Sequence, residues 1–224
     1  MSNQITGAAL KWLALLTMVI DHTAAVALAN AFPPELWWMR LLRIVGRLAF
    51  PLFAFLLVEG FTHTRSVSRY ARRLAVFAVL SEIPFNLALS GHILFPAWNN
   101  IFWTLLTSLA LLWCLEHWKD RAAQVLALLA AGLLADVLHF DYGAAGVLTV
   151  AVLYLARDNR WAFPAAVAVL TLASGDLTEL AALAAAPLIW RYNGQPGRAW
   201  GGKYFFYAFY PCHLLVLTAI RWLL

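Results

Sequence analysis

Nine apolar runs, separated by short turns, make up most of this 224-residue chain and leave few folds open to it. They cover approximately 9–31, 43–60, 72–90, 100–117, 122–139, 143–157, 161–175, 177–190 and 204–223. Most have helical length, and about 20 apolar residues let a helix cross a bilayer. Charged residues form only 12% of the chain, against about 25% in soluble domains. We predict an all-α, polytopic transmembrane bundle of about nine spans, forming a single domain over residues 1–224.

Basic residues alternate between the connections that join these runs. Eleven of them lie in or beside the second, fourth, sixth and eighth connections, whereas the third, fifth and seventh have none. They are Arg65, Arg69, Arg72, Arg73, Lys119, Arg121, Arg157, Arg160, Arg191, Arg198 and Lys203. Cytoplasmic loops are enriched in Lys and Arg. The pattern predicts a cytoplasmic N terminus and an external C terminus, and it explains the net charge of +5 without a nucleic-acid partner.

Polar residues inside the first and last runs are the main candidates for chemistry. Asp21 and His22 are adjacent in the first run, and His213 lies in the last. A signal peptide would not carry such a pair, so a retained first helix is expected despite the cleavage-like Ala27–Leu28–Ala29. Neighbours on a helix diverge by about 100°, so Asp21 should meet an arginine or histidine of another helix. A buried neutral histidine can serve as a general base. The alternative is a polar clasp between helices.

Two further groups of polar residues lie within the apolar runs. Arg40, Arg43 and Arg47 share one helical face, where they either snorkel outwards, pair with an acid such as Asp21, or bind an anion. Residues 81–86 (SEIPFN) combine an acid, an amide and a proline. This second group either lines a cavity or forms a kink whose acid balances an arginine.

The residues from Glu59 to Arg73 form the densest basic cluster. Its arginines are explained either by the positive-inside rule or by phosphate recognition from the cytoplasm. A Walker loop, a GxGxxG sequence, a CxxC pair and a zinc-type HExxH are all missing from the sequence. The sequence therefore gives no support to nucleotide hydrolysis or metal catalysis, and no metal is expected.

Six segments with unusual polar residues follow one another along the chain. They are 16–22 (LTMVIDH), 43–51 (RIVGRLAFP), 59–65 (EGFTHTR), 81–86 (SEIPFN), 141–146 (DYGAAG) and 207–213 (YAFYPCH). In this order they resemble the TraX family from the first span to the last. That family is associated with N-terminal acetylation of conjugative pilin. It also resembles transmembrane acyltransferases that take acyl groups from cytoplasmic acyl-CoA.

The resemblance implies roles for particular residues. Asp21 and His22 would be the catalytic pair, with His213 as a second active-site group. Arg65, Arg69, Arg73 and Tyr70 would bind coenzyme A. The expected supporting residues are Arg43, Arg47, Glu59, Glu82, Asn86, Asp141 and Tyr210. Because Arg47 lies near the predicted outer face, we expect it to pair with Asp21 or Glu82 and not with the cofactor.

The expected function is therefore acetyl transfer in the bacterial inner membrane, with acetyl-CoA or another acyl-CoA as co-substrate. The acceptor would be an amine or hydroxyl of a protein or glycan on the periplasmic side, a pilin N terminus being one candidate. One alternative is a proton-coupled transporter or export partner that uses Asp21, Glu82 and the histidines as a relay. The other is a non-catalytic assembly factor.

Overall fold

The computed structural model describes residues 4–198 and 202–224, and in these residues it is helical throughout, with isolated β-bridges but no strand. The helices are α1 (Gly7–His22), α2 (Trp37–Gly46), α3 (Ala49–His63), α4 (Val67–Ser90), α5 (Ile101–His117), α6 (Arg121–Val137), α7 (Gly143–Leu155), α8 (Ala162–Ser174), α9 (Ala186–Trp190) and α10 (Gly202–Leu223). A π-helical segment, Thr23–Ala27, extends α1, and a 3-10 helix, Leu177–Ala185, leads into α9. The predicted all-α class is confirmed.

Short polar side chains fix several of the helix starts. Thr6, Ser66, Asn100 and Asp120 each accept a hydrogen bond from a backbone N–H in the first turn of the helix that follows. Asp141, two residues before α7, does not have this role. The residue before α7 is Tyr142, which has a φ of 63° and makes no side-chain cap. Asp136 accepts instead, from the Ala144 N–H at 2.7 Å.

The apolar helices differ in length, and this bears on the predicted span count. Among the described residues, four are long and apolar enough to cross a membrane: Gly7–Ala27, Trp37–His63, Val67–Ser90 and Tyr204–Leu223. Shorter apolar helices lie at Ile101–His117, Gly143–Leu155, Ala162–Ser174 and Leu177–Trp190. The chain is therefore a helical membrane protein. The count of nine spans and their orientation stay predictions.

Connections that the charge pattern assigns to the same side of the membrane meet in the structure. The N-terminal segment bonds to the connection before α10, through Ile5 N to Arg191 O at 3.0 Å and Gly7 N to Gln195 O at 2.9 Å. At the opposite end, Asn99 N bonds to His139 O at 2.9 Å. We call the first of these the basic end, since Arg65, Lys119, Arg157 and Arg191 lie in its connections.

The core surrounds α3, which packs against α1, α5, α7 and α8. Its side chains Phe50, Leu52, Leu57 and Phe61 are buried. On the other side of α1, α10 packs against α4 and the π-helical segment. This arrangement brings the end of α1 next to the middle of α10, where His22 and His213 lie.

Candidate functional site

The two histidines named from the sequence are in direct contact. The Nδ1 of His22 lies 2.6 Å from the Nε2 of His213, and the rings are stacked with centroids 4.9 Å apart and planes 10° apart. His22 ends α1 immediately before the π-helical segment, an irregularity that is frequent at functional sites. His213 is 8% exposed. The structure thus joins the first and last helices through a polar contact inside the bundle.

The hydrogen bonds of this histidine pair define its tautomers. The His213 Nδ1 lies 3.0 Å from the Phe209 carbonyl oxygen, which can only accept, so Nδ1–H donates. In the neutral ring His213 Nε2 must then accept, and the His22 Nδ1–H donates to it. This assignment leaves a lone pair on His22 Nε2. The neutral pair therefore presents one basic nitrogen, as a general base requires.

Asp21 turns away from its neighbour His22, as the helical geometry predicted. Its Oδ2 accepts a hydrogen bond from Arg43 Nη1 at 2.6 Å, and its Oδ1 is buried without a partner in the described chain. Gly46, one turn after Arg43, allows α2 to approach this closely, because a Cβ there would overlap the Asp21 side chain. Asp21 thus ties α1 to α2 and does not orient the His22 ring.

Arg47 has partners other than those expected, Asp21 or Glu82. Its guanidinium contacts Asp176 Oδ2 at 3.1 Å and Glu179 Oε1 at 3.2 Å. Burial alone would raise the pKa of Asp176, but hydrogen bonds from the Thr178 hydroxyl and N–H, together with the charges of Arg47 and Arg43, outweigh it and lower that pKa. Asp176 is therefore ionised at neutral pH. Arg47 holds the 3-10 helix against α2, a contact that the sequence did not indicate.

Tyr210, one of the expected supporting residues, lies beside the histidine pair. Its buried ring is 6.1 Å from that of His22 and 5.7 Å from that of His213, measured between centroids. The same ring packs edge-to-face on Phe102 at 5.3 Å. Tyr210 is thus the aromatic side chain between the histidine pair and α5.

Glu82 accepts from Asn100 Nδ2 at 2.5 Å and from the Trp103 indole N–H at 3.1 Å. It forms no ion pair with an arginine within the described residues, so the predicted balance of this acid by an arginine is wrong. The predicted kink at Pro84 stays a prediction. Asn86 donates to Ile93 O at 3.4 Å, towards the end of α4. Glu82 and Asn86 therefore tie α4 to the following connection and α5.

Asp141 and Glu59, also expected near the active site, lie in different places. Asp141 is close enough to Asp21, Arg43 and Arg47 to interact with their charges, and its carbonyl accepts from the Thr104 hydroxyl. Glu59 lies near the basic end, where its Oε2 is 3.9 Å from His63 Nδ1. The structure therefore joins Asp141 to the Asp21 side of the site and separates Glu59 from it.

Two cavities at the basic end contain the expected cofactor-binding residues. The first, which we call the arginine cavity, has a volume of about 250 Å³. It is lined by Thr64, Arg65, Ser66, Arg69, Arg72, Arg73 and Tyr204. The second, the aromatic cavity, has about 450 Å³ and its wall includes Lys11, Phe53, Leu57, His63, Tyr70, Leu74, Phe102, Phe206 and Tyr207. Arg73 and Thr64 line both, so the two cavities adjoin.

Arg73 is held by aromatic rings at this junction. Its guanidinium carbon lies 5.4 Å from the Tyr70 ring centroid and 6.0 Å from that of Tyr207. Its Nε is buried and has no partner in the described structure. Tyr70 can lie here because α3 carries Gly60, where a Cβ would be only 3.0 Å from the tyrosine ring. Arg73 is therefore preorganised with an unused donor.

Sequence reasoning missed Phe102 and Glu179. Phe102 lines the aromatic cavity and also touches Tyr210, so it connects the cavity with the histidine pair. It is one of many apolar residues in its run, and nothing in the sequence distinguishes it. Glu179, 2% exposed, was visible as an acid in an apolar run, but its partner Arg47 is far away along the chain.

Fold and site together define the class: a polytopic helical membrane protein with a polar site inside the bundle and arginine-lined cavities at one end. The family described as TraX protein matches residues 6–221, so the chain belongs to the TraX family.

Two relatives are similar over nearly the whole chain. The probable fimbrial assembly protein FimC, serogroup H1, of Dichelobacter nodosus is 31% identical, over 95% of this chain and 94% of its own length. Protein TraX of Escherichia coli is 32% identical, over 94% of this chain and 85% of its own length. No solved structure matches the chain.

Proposed function

We propose that this protein is a membrane-embedded acyltransferase that moves an acetyl or other acyl group from acyl-CoA, bound at the basic end, to an acceptor amine or hydroxyl near the opposite end. One observation carries the proposal. The adjoining arginine and aromatic cavities end at Phe102, which packs on Tyr210, and Tyr210 packs on both histidines. A donor with an anionic head and a long flexible arm fits this sequence of environments.

The donor's phosphates would lie in the arginine cavity. Arg65, Arg69 and Arg73 offer several N–H donors each, which suits phosphate oxygens. The buried Nε of Arg73 lacks a partner, as expected of a group that awaits an anionic ligand. The pantetheine arm would then occupy the aromatic cavity, bringing the thioester towards Phe102 and Tyr210.

The histidine pair supplies the base for the reaction. His22 Nε2 takes the proton of the acceptor as its nitrogen or oxygen attacks the thioester carbonyl carbon. The tetrahedral intermediate collapses, the carbon–sulfur bond breaks, and the coenzyme A thiolate receives the proton from His22. His213 accepts from His22 Nδ1–H and stabilises the cation that forms transiently, while Asp21 and Arg43 hold α1 in place. General-base assistance of this kind gives roughly 10²–10⁴-fold in rate.

The acceptor we propose is a pilin-type protein in a bacterial inner membrane. The support comes from the relative in Dichelobacter nodosus, whose name describes a probable fimbrial assembly protein. A hydroxyl on a glycan can react through the same base.

The test is an assay of the purified protein with radiolabelled acetyl-CoA and membrane extracts containing acceptors. Wild type should transfer label, and His22→Ala should lose at least about 10²-fold in rate while still binding coenzyme A. His117→Ala is the matched control, because this exposed histidine at the end of α5 lies outside the site.

Equal turnover by wild type and His22→Ala would refute the assignment of the base. Proton-driven uptake of a solute by proteoliposomes, without thioester consumption, would instead favour the transporter. If substitution of His22 changed only stability, an assembly role would replace the enzyme.

A further inference from the structure

A third cavity at the basic end lies apart from the two assigned to the donor. It has a volume of about 270 Å³ and lies between the end of α3, the connection from α7 to α8, and the end of α9. It shares no lining residue with the other two. Its inner wall is apolar, with Phe55, Val58 and Phe163, and its rim is charged. Nothing in the proposed transfer reaction uses it.

The rim offers donors suited to a phosphate. The Arg157 guanidinium lies 4.3 Å from the Tyr154 ring centroid, and its Nη1 donates to the Tyr154 carbonyl at 2.9 Å. Its other N–H groups have no partner among the described residues. Arg160, from the same connection, lies 5.1 Å from the Trp161 ring centroid. Two arginines held on aromatic rings leave several N–H groups for one anion.

The same rim carries acids that balance this charge. Glu59 and Asp158 both line the cavity, and Asp158 forms no ion pair in the part of the chain that the structure describes. The Tyr192 hydroxyl donates to Glu59. Burial, together with the charge and hydrogen bond of Glu59, raises the pKa of Tyr192 to about 12, so this donor stays protonated. A ligand with both a phosphate and an ammonium group matches a rim with two arginines and two acids.

Exposed apolar side chains beside the rim indicate a ligand with an apolar tail. Trp161 and Trp190 are 52% and 47% exposed and pack edge-to-face with centroids 5.6 Å apart. The Trp190 indole N–H donates to Arg160 O at 2.7 Å, which fixes the tryptophan beside the arginine. Leu155, at the end of α7, is 63% exposed. Tryptophans with an apolar ring and a wet edge are typical of the membrane interface.

From these contacts we infer that the third cavity binds the headgroup of a zwitterionic phospholipid, with its phosphate on Arg157 and Arg160, its ammonium on Glu59 and Asp158, and its acyl chains in the bilayer beside Trp161 and Trp190. The charge balance favours phosphatidylethanolamine over phosphatidylglycerol. The site is independent of acyl transfer, because it requires only that the basic end lies at a membrane surface.

The inference can be tested by native mass spectrometry of the detergent-purified protein titrated with phosphatidylethanolamine or phosphatidylglycerol. Wild type should retain phosphatidylethanolamine more strongly. Arg157→Gln should weaken that binding about tenfold, because charge-assisted hydrogen bonds to the phosphate are lost. Arg121→Gln is the matched control, since it removes the same charge at the same end and lines none of the three cavities.

Asp158→Asn gives a second, independent readout. Since this side chain makes no hydrogen bond or ion pair in the described residues, its loss should leave thermal unfolding unchanged and abolish the preference for ethanolamine over glycerol headgroups. Equal binding by Arg157→Gln and Arg121→Gln would overturn the inference, as would a wild-type preference for phosphatidylglycerol. Soluble glycerophosphoethanolamine that competes as strongly as the lipid would show that the ligand is not a membrane lipid.

Discussion

The tautomer of His22 is set by a neighbour that lies 191 positions away in the chain. His213 is held in one tautomer because its Nδ1–H donates to the Phe209 carbonyl oxygen. Its Nε2 is therefore the acceptor for the His22 Nδ1–H. The two histidines therefore have different proposed roles, His22 as the catalytic base and His213 as a positioning group. His22 would touch the acceptor, and His213 would act through His22.

Replacing His213 should separate these roles. In His213→Ala the His22 Nδ1–H loses its acceptor, so the ring is free to rotate and to change tautomer. We expect kcat to fall about 10²-fold with little change in KM for acetyl-CoA. The pH–rate profile should also shift, because the cation on His22 loses its neighbour. His213→Gln, which keeps an acceptor, should recover part of kcat; steady-state kinetics with purified variants measure both.

The position of Arg73 predicts a change in acetyl-CoA binding and not in the rate of the chemical step. It lines both donor cavities, so Arg73→Gln should raise KM for acetyl-CoA about tenfold and leave kcat nearly unchanged. Arg121→Gln again serves as the control. A fall in kcat without a change in KM would contradict a binding role.

The pair Asp21–Arg43 is expected to stabilise the protein modestly. The Asp21 side chain is 16% exposed and that of Arg43 is 39% exposed, so the protein encloses this ion pair only partly. A double-mutant cycle with Asp21→Asn and Arg43→Gln should give a coupling of about 1 kcal/mol in thermal unfolding in detergent. A coupling near zero would mean that the two side chains act independently.

The sequence predicted the residues of the histidine pair better than it predicted the partners of the arginines. Helical geometry alone separates Asp21 from His22, and an intramembrane acid must find a cation, so the contact with an arginine was foreseeable. Which arginine lies opposite Asp21 was not. Arg43 and Arg47 share a face, and the choice depends on Gly46 and on the position of the 3-10 helix, which follows from tertiary packing.

At the scale of elements, α1 and α2 can approach each other this closely only because residue 46 is a glycine. Gly46→Ala would place a methyl group on Asp21, so α2 must move away and the contact with Arg43 must lengthen. We expect a loss of about 1–3 kcal/mol in unfolding free energy, with reduced activity. Gly132→Ala in α6 is the control, because its Cβ would lie 3.5 Å from Ala144 Cβ, an ordinary contact. Thermal unfolding of both variants in one detergent measures the difference.

At the same scale, the boundary between α2 and α3 was not predictable from the sequence. The run 43–60 was predicted as one span, and it lies in the segment Trp37–His63, which is long and apolar enough to cross a membrane. Within this segment a turn at Arg47–Leu48, with bonds from Arg47 N to Ile44 O and from Leu48 N to Val45 O, separates α2 from α3. Hydropathy cannot detect this turn, because the residues on both sides are apolar. Pro51 lies in the first turn of α3, where a proline costs no helix hydrogen bond, and it is compatible with either arrangement.

For the whole molecule, the alternation of basic residues predicts which end faces the cytoplasm. Single cysteines can test it in a background where Cys114 and Cys212 are replaced by alanine. An impermeant maleimide applied to intact cells should label Leu94→Cys, in the connection before α5, and should spare Lys119→Cys at the basic end. Labelling in the opposite order would invert the orientation and place the arginine cavity outside.

The contact between Phe102 and Tyr210 has a consequence for the energised membrane. A donor that enters from one end and an acceptor that comes from the other require openings on both sides of a thin barrier. Here the barrier would be the edge-to-face packing of the Phe102 and Tyr210 rings, whose centroids lie 5.3 Å apart. If transfer runs as proposed, this ring contact would keep the bundle from conducting protons. The cell would then retain its electrochemical gradient while a group, and not an ion, crosses.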